Sequence, residues 1–260
     1  RRSKHDESLS IGALHRHAAD RDQASGAPYL PPRAPSSGKR VAVIGAGPAG
    51  LAAAFHLLQR GHACTLFDRH PLPGGMLRYG IPAYRLPREA LDAEIGVLRT
   101  LGAEFRMGLT WGVDFTLAGL RRDFDAVFVA VGARKGRPLD CEGEALALPG
   151  LELLERAARG ERPAIGDRVL VVGGGNTAMD ACRTALRLGA GHVEFLYRRR
   201  REEMPCLLEE VEAAVAEGVR AHFLVAPTRL ERSPKGALRV TCIRMRPGAP
   251  DASGRRRPVP

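Results

Sequence analysis

The sequence has few of the features that mark membrane-spanning, secreted or metal-binding proteins. No apolar run approaches the ~18 residues of a transmembrane helix. The polar, basic N-terminus has no signal-peptide pattern, which predicts a cytoplasmic protein without a membrane span. The five cysteines are scattered without a Cys-x-x-Cys pair, so they indicate no metal site, iron–sulfur cluster or redox dithiol in this chain. We expect reduced, mostly buried thiols.

Aromatic residues are also scarce, at 5% of the chain, although the formal net charge is +11. A basic protein can bind nucleic acid, but no nucleic-acid-binding motif accompanies this charge, so we expect no such partner. Much of the positive charge lies at the N-terminus and at residues 198–201 and 255–257. That distribution favours anionic cofactors and an acidic partner surface.

The most informative stretch combines a buried strand with a glycine-rich turn. Residues 41–50 read Val-Ala-Val-Ile-Gly-Ala-Gly-Pro-Ala-Gly, a helical pattern follows to Gln59, and a second strand is predicted over 63–67. In such a unit the glycines allow a tight turn, close approach of a pyrophosphate and close packing of helix on strand. Asp68 follows the second strand about 20 residues after the glycines, where a carboxylate can bind ribose hydroxyls.

A second unit of the same kind begins at Arg168. It reads Arg-Val-Leu-Val-Val-Gly-Gly-Gly-Asn-Thr-Ala, with Ala178 in place of the third glycine, and its second strand is predicted over 192–197. This strand is followed by Arg198-Arg-Arg-Arg201 rather than by an acid. A guanidinium there can pair with a 2′-phosphate, which favours NADPH, whereas Asp68 favours a cofactor with free ribose hydroxyls. The alternative for the arginine run is a solvated basic turn.

Two glycine turns predict an α/β fold with two Rossmann-like dinucleotide-binding domains. Residues 1–38 are predicted to form a helical segment, from Ile11 to Ala19, and a linker; 39–160 form the first domain and 161–260 the second. Between them, 72–82 reads as a long loop, 125–131 as a buried parallel strand whose end at Gly132 lies beside the first cofactor, and 255–260 as a loop. Because the chain begins at Arg1, we expect it to be part of a longer polypeptide.

Several longer motifs resemble the small (beta) subunit of glutamate synthase and related two-dinucleotide flavoproteins, including the corresponding domains of dihydropyrimidine dehydrogenase. They are Gly45-Ala-Gly-Pro-Ala-Gly-Leu51, Pro73-Gly-Gly-Met-Leu-Arg-Tyr-Gly-Ile-Pro82, Arg85-Leu-Pro87, Gly173-Gly-Gly-Asn-Thr-Ala-Met-Asp180, Tyr197-Arg-Arg199 and Glu203-Met-Pro205. The resemblance runs from about Ser8 to the last residue. It is more specific than the glycine turns alone.

The resemblance implies FAD at the first turn and NADPH at the second, with hydride passing to the flavin and electrons leaving singly to the iron–sulfur clusters of a larger redox or amidotransferase subunit. No acid–base residue is implied, because such transfer depends on positioning. Asp180 and Glu203 are interpreted as structural. The implied FAD residues are Gly45, Ala46, Gly47, Pro48, Ala49, Gly50, Asp68, Gly75, Met76, Leu77, Arg85 and Gly132. The implied NADPH residues are Gly173, Gly174, Gly175, Asn176, Thr177, Arg198 and Arg199.

The chain departs from the resembled family in two respects. It lacks the N-terminal cysteine cluster of the family, and it stops at Pro260, before the segment that returns to complete the FAD domain. We therefore expect an incomplete FAD domain. The leading hypothesis is an NADPH-linked electron-input subunit of glutamate synthase. The alternatives are the same module in a formate, aldehyde or hydrogenase complex, with NADH, and a non-catalytic fragment that binds nucleotide without flavin.

Overall fold

The computed structural model describes residues 9–133, 136, 138–234, 236–250 and 256–260. Within these ranges the chain forms two compact units. Unit 1 extends to Gly74 and resumes over Arg88–Val131, whereas unit 2 comprises Gly75–Pro87 and the chain from Gly132 onward. The sequence-based division at 38/39 and 160/161 remains a prediction beside these units, and residues 1–8 of its first segment lie outside the described chain.

Unit 1 contains four helices and four strands among its described residues. In chain order they are α1 (Ile11–Gln23), β1 (Arg40–Ile44), α2 (Pro48–Gln59), β2 (Ala63–Asp68), α4 (Arg88–Thr100), β3 (Glu104–Met107), α5 (Leu117–Asp123) and β4 (Ala126–Val129). Helix α3 (Met76–Tyr79) lies between β2 and α4 in sequence but belongs to unit 2.

The four strands of unit 1 form one parallel sheet in the order β3-β2-β1-β4. The apolar sequence of β1 suits a strand covered on both faces, and its Ala42, Val43 and Ile44 are buried. Helix α2 packs on this sheet because Leu51, Ala54 and Leu58 recur at helical spacing and are buried. Because β1 and β4 are parallel neighbours, their C-terminal ends lie at the same end of the sheet.

Strand β4 corrects one expectation from the sequence. The apolar run at 125–131 predicts a buried strand, but Phe128 is 43% exposed and Val129 49% exposed. Phe128 and Val129 are successive residues and point to opposite faces of the sheet, so the described chain leaves both faces partly uncovered at this strand, which is an edge strand paired with β1 among the described residues. An apolar sequence predicts a strand with a covered face, and it does not say whether the described chain covers it.

Unit 2 contains four helices and seven strands among its described residues, with short 3₁₀ turns at Glu144–Leu146 and Arg201–Glu203. In chain order the helices and strands are α3 (Met76–Tyr79), α6 (Gly150–Ala158), β5 (Arg168–Val172), α7 (Asn176–Arg187), β6 (His192–Tyr197), α8 (Leu208–Ala216), β7 (Arg220–Phe223), β8 (Val225–Arg232), β9 (Leu238–Arg244), β10 (Arg246–Pro250) and β11 (Arg256–Val259).

The second glycine turn belongs to a parallel sheet of unit 2. Strands β5, β6 and β7 form this sheet in that order, and β8–β9 and β10–β11 form separate antiparallel pairs. Met179 and Cys182 of α7 pack with Val193 and Phe195 of β6 and Val211 of α8 in the buried core. Val169 and Val171 of β5 pack against the same core, so both elements that flank the glycine turn, β5 and α7, are fixed by it.

Two further expectations are corrected. Residues 256–259 form β11 rather than a loop, while residue 255 lies outside the described residues. Pro258 is tolerated because this ribbon has only two strands, so each strand is an edge. The loop predicted over 72–82 contains the single-turn helix α3.

The cysteines are free thiols, as expected, but fewer are buried than the sequence analysis proposes. Cys64 and Cys182 are buried, Cys141 and Cys206 are half-buried and Cys242 is exposed. Burial raises the pKa of Cys182 to about 12, so this thiol stays protonated. Among the described helices, none has the length and apolar character needed to cross a bilayer.

Candidate nucleotide-binding sites

The first glycine turn connects the end of β1 to the start of α2. Gly47 is the N-cap of α2 in extended conformation, Pro48 is the first helical residue, and no side chain caps the helix by a hydrogen bond. A helix N-terminus without a side-chain cap presents its first N–H groups and the positive end of its dipole to an anion. The turn therefore suits a pyrophosphate.

The glycines of this turn are required by close packing. Gly45 has φ of +109°, and a Cβ built there would collide with the carbonyl oxygen of Ala130, just after β4. A Cβ at Gly50 would collide with the carbonyl oxygen of Gly45. The turn is thus pressed between α2 and the end of β4, as a dinucleotide cradle requires, and the residues fit a bound dinucleotide.

Asp68 has a second role that the sequence does not indicate. Its Oδ2 accepts the Ala46 N–H at 2.9 Å, and its Oδ1 accepts the His70 N–H at 2.9 Å and contacts His70 Nδ1 at 2.9 Å. Burial alone would raise the pKa of Asp68, but the hydrogen bonds from His70 and Ala46 outweigh burial and lower it. The carboxylate therefore stays ionised, and it braces the glycine turn from the end of β2.

Asp68 still fits the predicted ribose contact. A carboxylate offers about four lone-pair positions. The two His70 contacts take those of Oδ1 and the Ala46 N–H takes one at Oδ2, so one position at Oδ2 remains for a ribose hydroxyl. Its side chain is 13% exposed. The ribose role of Asp68 stays a prediction, and any substitution there also disturbs the turn through Ala46.

The other residues predicted beside the flavin lie in unit 2. Gly75 is the N-cap of α3, and Met76 and Leu77 are its first residues. Arg85 pairs with Asp180 of α7 at 2.8 Å and Glu210 of α8 at 2.8 Å. Gly132 follows β4 with φ of +74°. Arg85 is thus paired with two carboxylates of the protein. The flavin contacts predicted for Gly75, Met76, Leu77, Arg85 and Gly132 remain predictions.

The second glycine turn joins β5 to α7. Gly175 is the N-cap of α7 in extended conformation, and no side chain caps the helix by a hydrogen bond. A Cβ at Gly174 would lie 2.5 Å from Tyr197 ring atoms, whereas a Cβ at Gly175 would meet no atom within 4 Å. Gly174 is therefore required by the fold, and Gly175 faces open space at the helix N-terminus, where a pyrophosphate can approach.

The side chains at the start of α7 have different surroundings. Asn176 Oδ1 accepts the Leu207 N–H at 3.1 Å, which ties α7 to the segment before α8. The Thr177 methyl group lies near Gly150 at the start of α6, at 3.7 Å from a Cβ built on that glycine. Both side chains thus have structural roles, while their backbone N–H groups lie in the first turn that the prediction assigns to pyrophosphate.

The arginine run separates into exposed and buried members. Arg198 directly follows β6 and is exposed, whereas Arg199 is only 9% exposed. Of the two arginines predicted to bind a 2′-phosphate, Arg198 is the more accessible to a ligand. The sequence carries no signal for this difference, because β6 ends at Tyr197 and its last three residues, Phe195, Leu196 and Tyr197, are all buried.

Tyr197 and Glu203 brace the second turn, and Tyr197 was not among the predicted site residues. The Tyr197 ring packs on Gly174, and its hydroxyl donates to the Glu203 carbonyl at 2.7 Å. The Glu203 carboxylate accepts the N–H groups of Arg200 at 3.2 Å and Arg256 at 2.6 Å. Its structural interpretation therefore fits these contacts, which bring β11 beside the arginine run.

Asp180 of α7 is only 4% exposed, and its structural interpretation also fits the contacts. Burial is the largest influence on its pKa and keeps it above the usual range, although Arg85 acts in the opposite direction. Glu210 joins the same cluster and was missed by sequence analysis. In the part of the chain that the structure describes, no group of three or more His, Cys, Asp or Glu side chains is arranged to hold a metal ion.

Known proteins similar to this chain are oxidoreductases. The NADP(+)-dependent formate dehydrogenase subunit beta of Moorella thermoacetica is 44% identical over all of this chain, which spans 40% of that protein. The glutamate synthase [NADPH] small chain of Escherichia coli is 39% identical over 96% of this chain and 56% of its own length. The chain thus spans about half the length of these relatives.

The solved structure of Mycobacterium tuberculosis FprA in complex with NADPH is similar in fold. The TM-score is 0.71 with 19% identity, over 85% of this chain and 66% of that one. The predicted fold class, α/β with two Rossmann-like units, is confirmed, and so is the likeness to the glutamate synthase small-subunit family. Residues 39–244 match the family model, and the chain belongs to the pyridine nucleotide-disulphide oxidoreductase family.

Proposed function

We propose that this chain is the electron-input module of a larger oxidoreductase complex, with FAD at the first glycine turn and NADPH at the second. The observation that carries the proposal is the opposite charge that follows the second strand of each unit. The acidic Asp68 stands at the end of β2, and the exposed Arg198 follows β6. An acid suits ribose hydroxyls, and a guanidinium suits a 2′-phosphate.

The chain's own residues would bind and orient the two cofactors. Gly47 and Gly175 open the two helix N-termini to pyrophosphate, Asp68 holds the first turn through Ala46, and Arg198 would select the phosphorylated nucleotide. When bound, NADPH supplies a hydride and FAD accepts its electron pair. No acid–base residue is assigned, because the protein's contribution to such a transfer is orientation and exclusion of water.

The proposed partner is a larger redox or amidotransferase subunit that receives electrons through iron–sulfur clusters. The names of the relatives support a subunit role, since one is a formate dehydrogenase subunit beta and another a glutamate synthase small chain. We retain glutamate synthase as the leading complex and a formate-type complex as the alternative. Reconstitution with each type of partner subunit separates them. NADPH oxidation is then expected to require glutamine and 2-oxoglutarate with the first, or carbon dioxide, which is reduced to formate, with the second.

The proposed function is tested by flavin content and by anaerobic reduction in one cuvette. We expect the purified chain to bind FAD, and the flavin absorbance to bleach on addition of NADPH and far less on addition of NADH. Bleaching by both nucleotides would support the NADH alternative. A colourless protein that still binds NADPH would instead support a nucleotide-binding fragment and contradict the electron-input role of this chain.

Arg198→Glu is expected to weaken NADPH binding by about tenfold to a hundredfold, because a charge-assisted hydrogen bond to the 2′-phosphate is replaced by repulsion. NADH affinity is expected to change by less than about twofold. Calorimetric titration with both nucleotides measures the difference. Arg199→Glu is less informative, because that side chain is buried and an unpaired carboxylate there would disturb the fold.

Arg162→Glu is the matched control for Arg198→Glu. Arg162 is exposed in unit 2 and lies outside both glycine turns. The substitution Arg162→Glu changes the net charge of the protein by the same amount as Arg198→Glu. We expect the control to bind NADPH as the unchanged protein does. Equal losses for NADPH and NADH in Arg198→Glu, or equal effects of the two substitutions, would refute the 2′-phosphate role of Arg198.

A further inference from the structure

The segment Gly75–Pro87 is held on unit 2 by a cluster of half-buried ion pairs centred on the buried Asp180. Arg85 Nη1 donates to both carboxylate oxygens of Asp180, at 3.0 and 2.8 Å, and Arg85 Nε lies 2.8 Å from Glu210 Oε1. The side chains of Arg85, Asp180 and Glu210 are 20%, 5% and 16% exposed. Pairs this well shielded from solvent are screened far less than surface ion pairs.

The cluster extends along α7 and covers the neighbouring aromatic ring. Arg183 pairs with Glu210 at 2.8 Å and with Glu217 at 2.9 Å. The Tyr84 ring lies under two guanidinium groups, with its centroid 4.5 Å from Arg183 Cζ and 4.0 Å from Arg187 Cζ. The segment therefore binds one face of α7 through both charge and cation–π contacts.

The position of Asp180 on α7 gives this cluster a functional consequence. Asp180 lies four residues after Asn176, the first residue of the helix, so it is one turn from the N-terminus where NADPH pyrophosphate is proposed to bind. On the other side of the pair, Arg85 belongs to the segment that carries Met76 and Leu77, which are predicted to lie along the flavin. One ion pair thus joins the nucleotide helix to the predicted flavin-lining residues of unit 2.

We propose that Arg85 and Asp180 are positioning residues, whose ion pair holds Gly75–Pro87 in register with the N-terminus of α7. Arg85 then acts through Met76 and Leu77 rather than as a direct flavin ligand. This inference rests on the proposed function for its kinetic consequence. The holding role itself concerns protein contacts alone, and it can be tested without cofactor.

The first test is hydrogen–deuterium exchange by mass spectrometry on the full chain without added nucleotide. Asp180→Asn removes the charge while keeping the shape of the side chain, and we expect amides within 75–87 to exchange at least tenfold faster. The matched control is Glu212→Gln on α8, where an exposed carboxylate lies 3.7 Å from Arg201. Unchanged exchange in 75–87 for Asp180→Asn, or equal acceleration in the control, would overturn the inference.

The second test separates positioning from general stability by stopped-flow reduction of the bound flavin. We expect Asp180→Asn to lower the limiting reduction rate at saturating NADPH at least tenfold, while the Kd for NADPH and the flavin content change less than twofold. Arg85→Lys keeps the charge but loses the forked geometry, so an intermediate rate is expected. In the double variant Arg85→Gln with Asp180→Asn, both members of the ion pair are neutral. We expect its bound flavin to be reduced faster than in Arg85→Gln alone or Asp180→Asn alone, because no unpaired charge remains and Glu210 keeps its ion pair with Arg183.

The two proposals fail in different ways. If Asp180→Asn loses NADPH affinity in proportion to its loss of flavin reduction rate, the positioning role is overturned. The proposed function then still stands, provided that NADPH reduces the flavin of the unchanged protein. If the unchanged protein binds no flavin, the proposed function fails, and the exchange experiment still decides whether Arg85 and Asp180 hold the segment. Should Arg85→Gln fail to fold, Asp180→Asn and Arg85→Lys carry both measurements.

Discussion

Gly175→Ala is expected to fold normally and to lose about tenfold to a hundredfold in NADPH affinity. Gly175 has φ of −94° and ψ of 172°, extended backbone that alanine adopts readily, and a Cβ there meets no atom within 4 Å. The loss of a favourable N-cap residue costs the fold at most about 1 kcal/mol. The methyl group instead occupies the space through which a pyrophosphate approaches the N–H groups of α7.

Gly174→Ala is the matched comparison, because it makes the same chemical change one residue earlier. A Cβ at Gly174 would lie 2.5 Å from the Tyr197 ring, which is 8% exposed and held by its hydroxyl bond to Glu203. We expect a loss of about 1–3 kcal/mol from overpacking, measured by thermal denaturation. Calorimetric titration then measures NADPH affinity in both variants.

The two neighbouring glycines therefore give opposite patterns. Gly175→Ala should weaken NADPH binding while lowering the Tm by at most a few degrees, and Gly174→Ala should lower the Tm by more than that. Wild-type NADPH affinity in Gly175→Ala would refute the placement of the pyrophosphate at the start of α7. A large fall in the Tm of Gly175→Ala would mean that the turn is more crowded than its geometry indicates.

The strands and helices around both turns could be predicted because their signals are local. An apolar strand, closely spaced glycines and a helical apolar face lie within about 30 residues in each unit, so periodicity and turn chemistry suffice. Strand β6 is predicted over the residues that form it, His192–Tyr197. The exposure of Arg198 beside the burial of Arg199 could not be found in this way, because both residues lie beyond β6, whose last three residues are all buried.

The contacts that brace the site could not be predicted, because they join residues far apart in sequence. Arg85 and Asp180 are 95 residues apart, and Asp68 and Ala46 are 22 apart. Neither pair produces a periodic pattern, and an arginine in a proline-containing loop is equally compatible with a ligand contact. The exposure of Phe128 on β4 escaped prediction for the same reason, since the covering of a strand's faces depends on which distant elements pack against them.

Gly50→Ala is expected to abolish flavin binding and to destabilise unit 1 by about 3 kcal/mol. A Cβ at Gly50 would collide with the Gly45 carbonyl oxygen and lie 3.1 Å from Val43 Cγ1. Neither neighbour can yield easily, because Gly45 is packed against the carbonyl group of Ala130 and Val43 is fully buried. Relief requires that α2 move away from β1, at a cost typical of an overpacked core.

Gly96→Ala is the control for Gly50→Ala in the same unit. Gly96 lies within α4, and a Cβ there meets no atom within 4 Å. Alanine is a better helix former, so we expect a stabilisation of about 0.5–1 kcal/mol, which raises the Tm by a few degrees, with flavin content unchanged. The flavin-to-protein absorbance ratio and the Tm are measured together in both variants.

The pair of variants separates the cradle from general crowding in unit 1. If Gly50→Ala lowers the Tm and loses flavin while Gly96→Ala does neither, the close contact between α2 and β1 is needed for the flavin site. If Gly50→Ala keeps stoichiometric flavin, the first turn is not where the pyrophosphate binds, because a displaced α2 cannot present the same N–H groups. The position of a single methyl group thus tests whether the packing of helix on strand and the binding of cofactor have one physical cause.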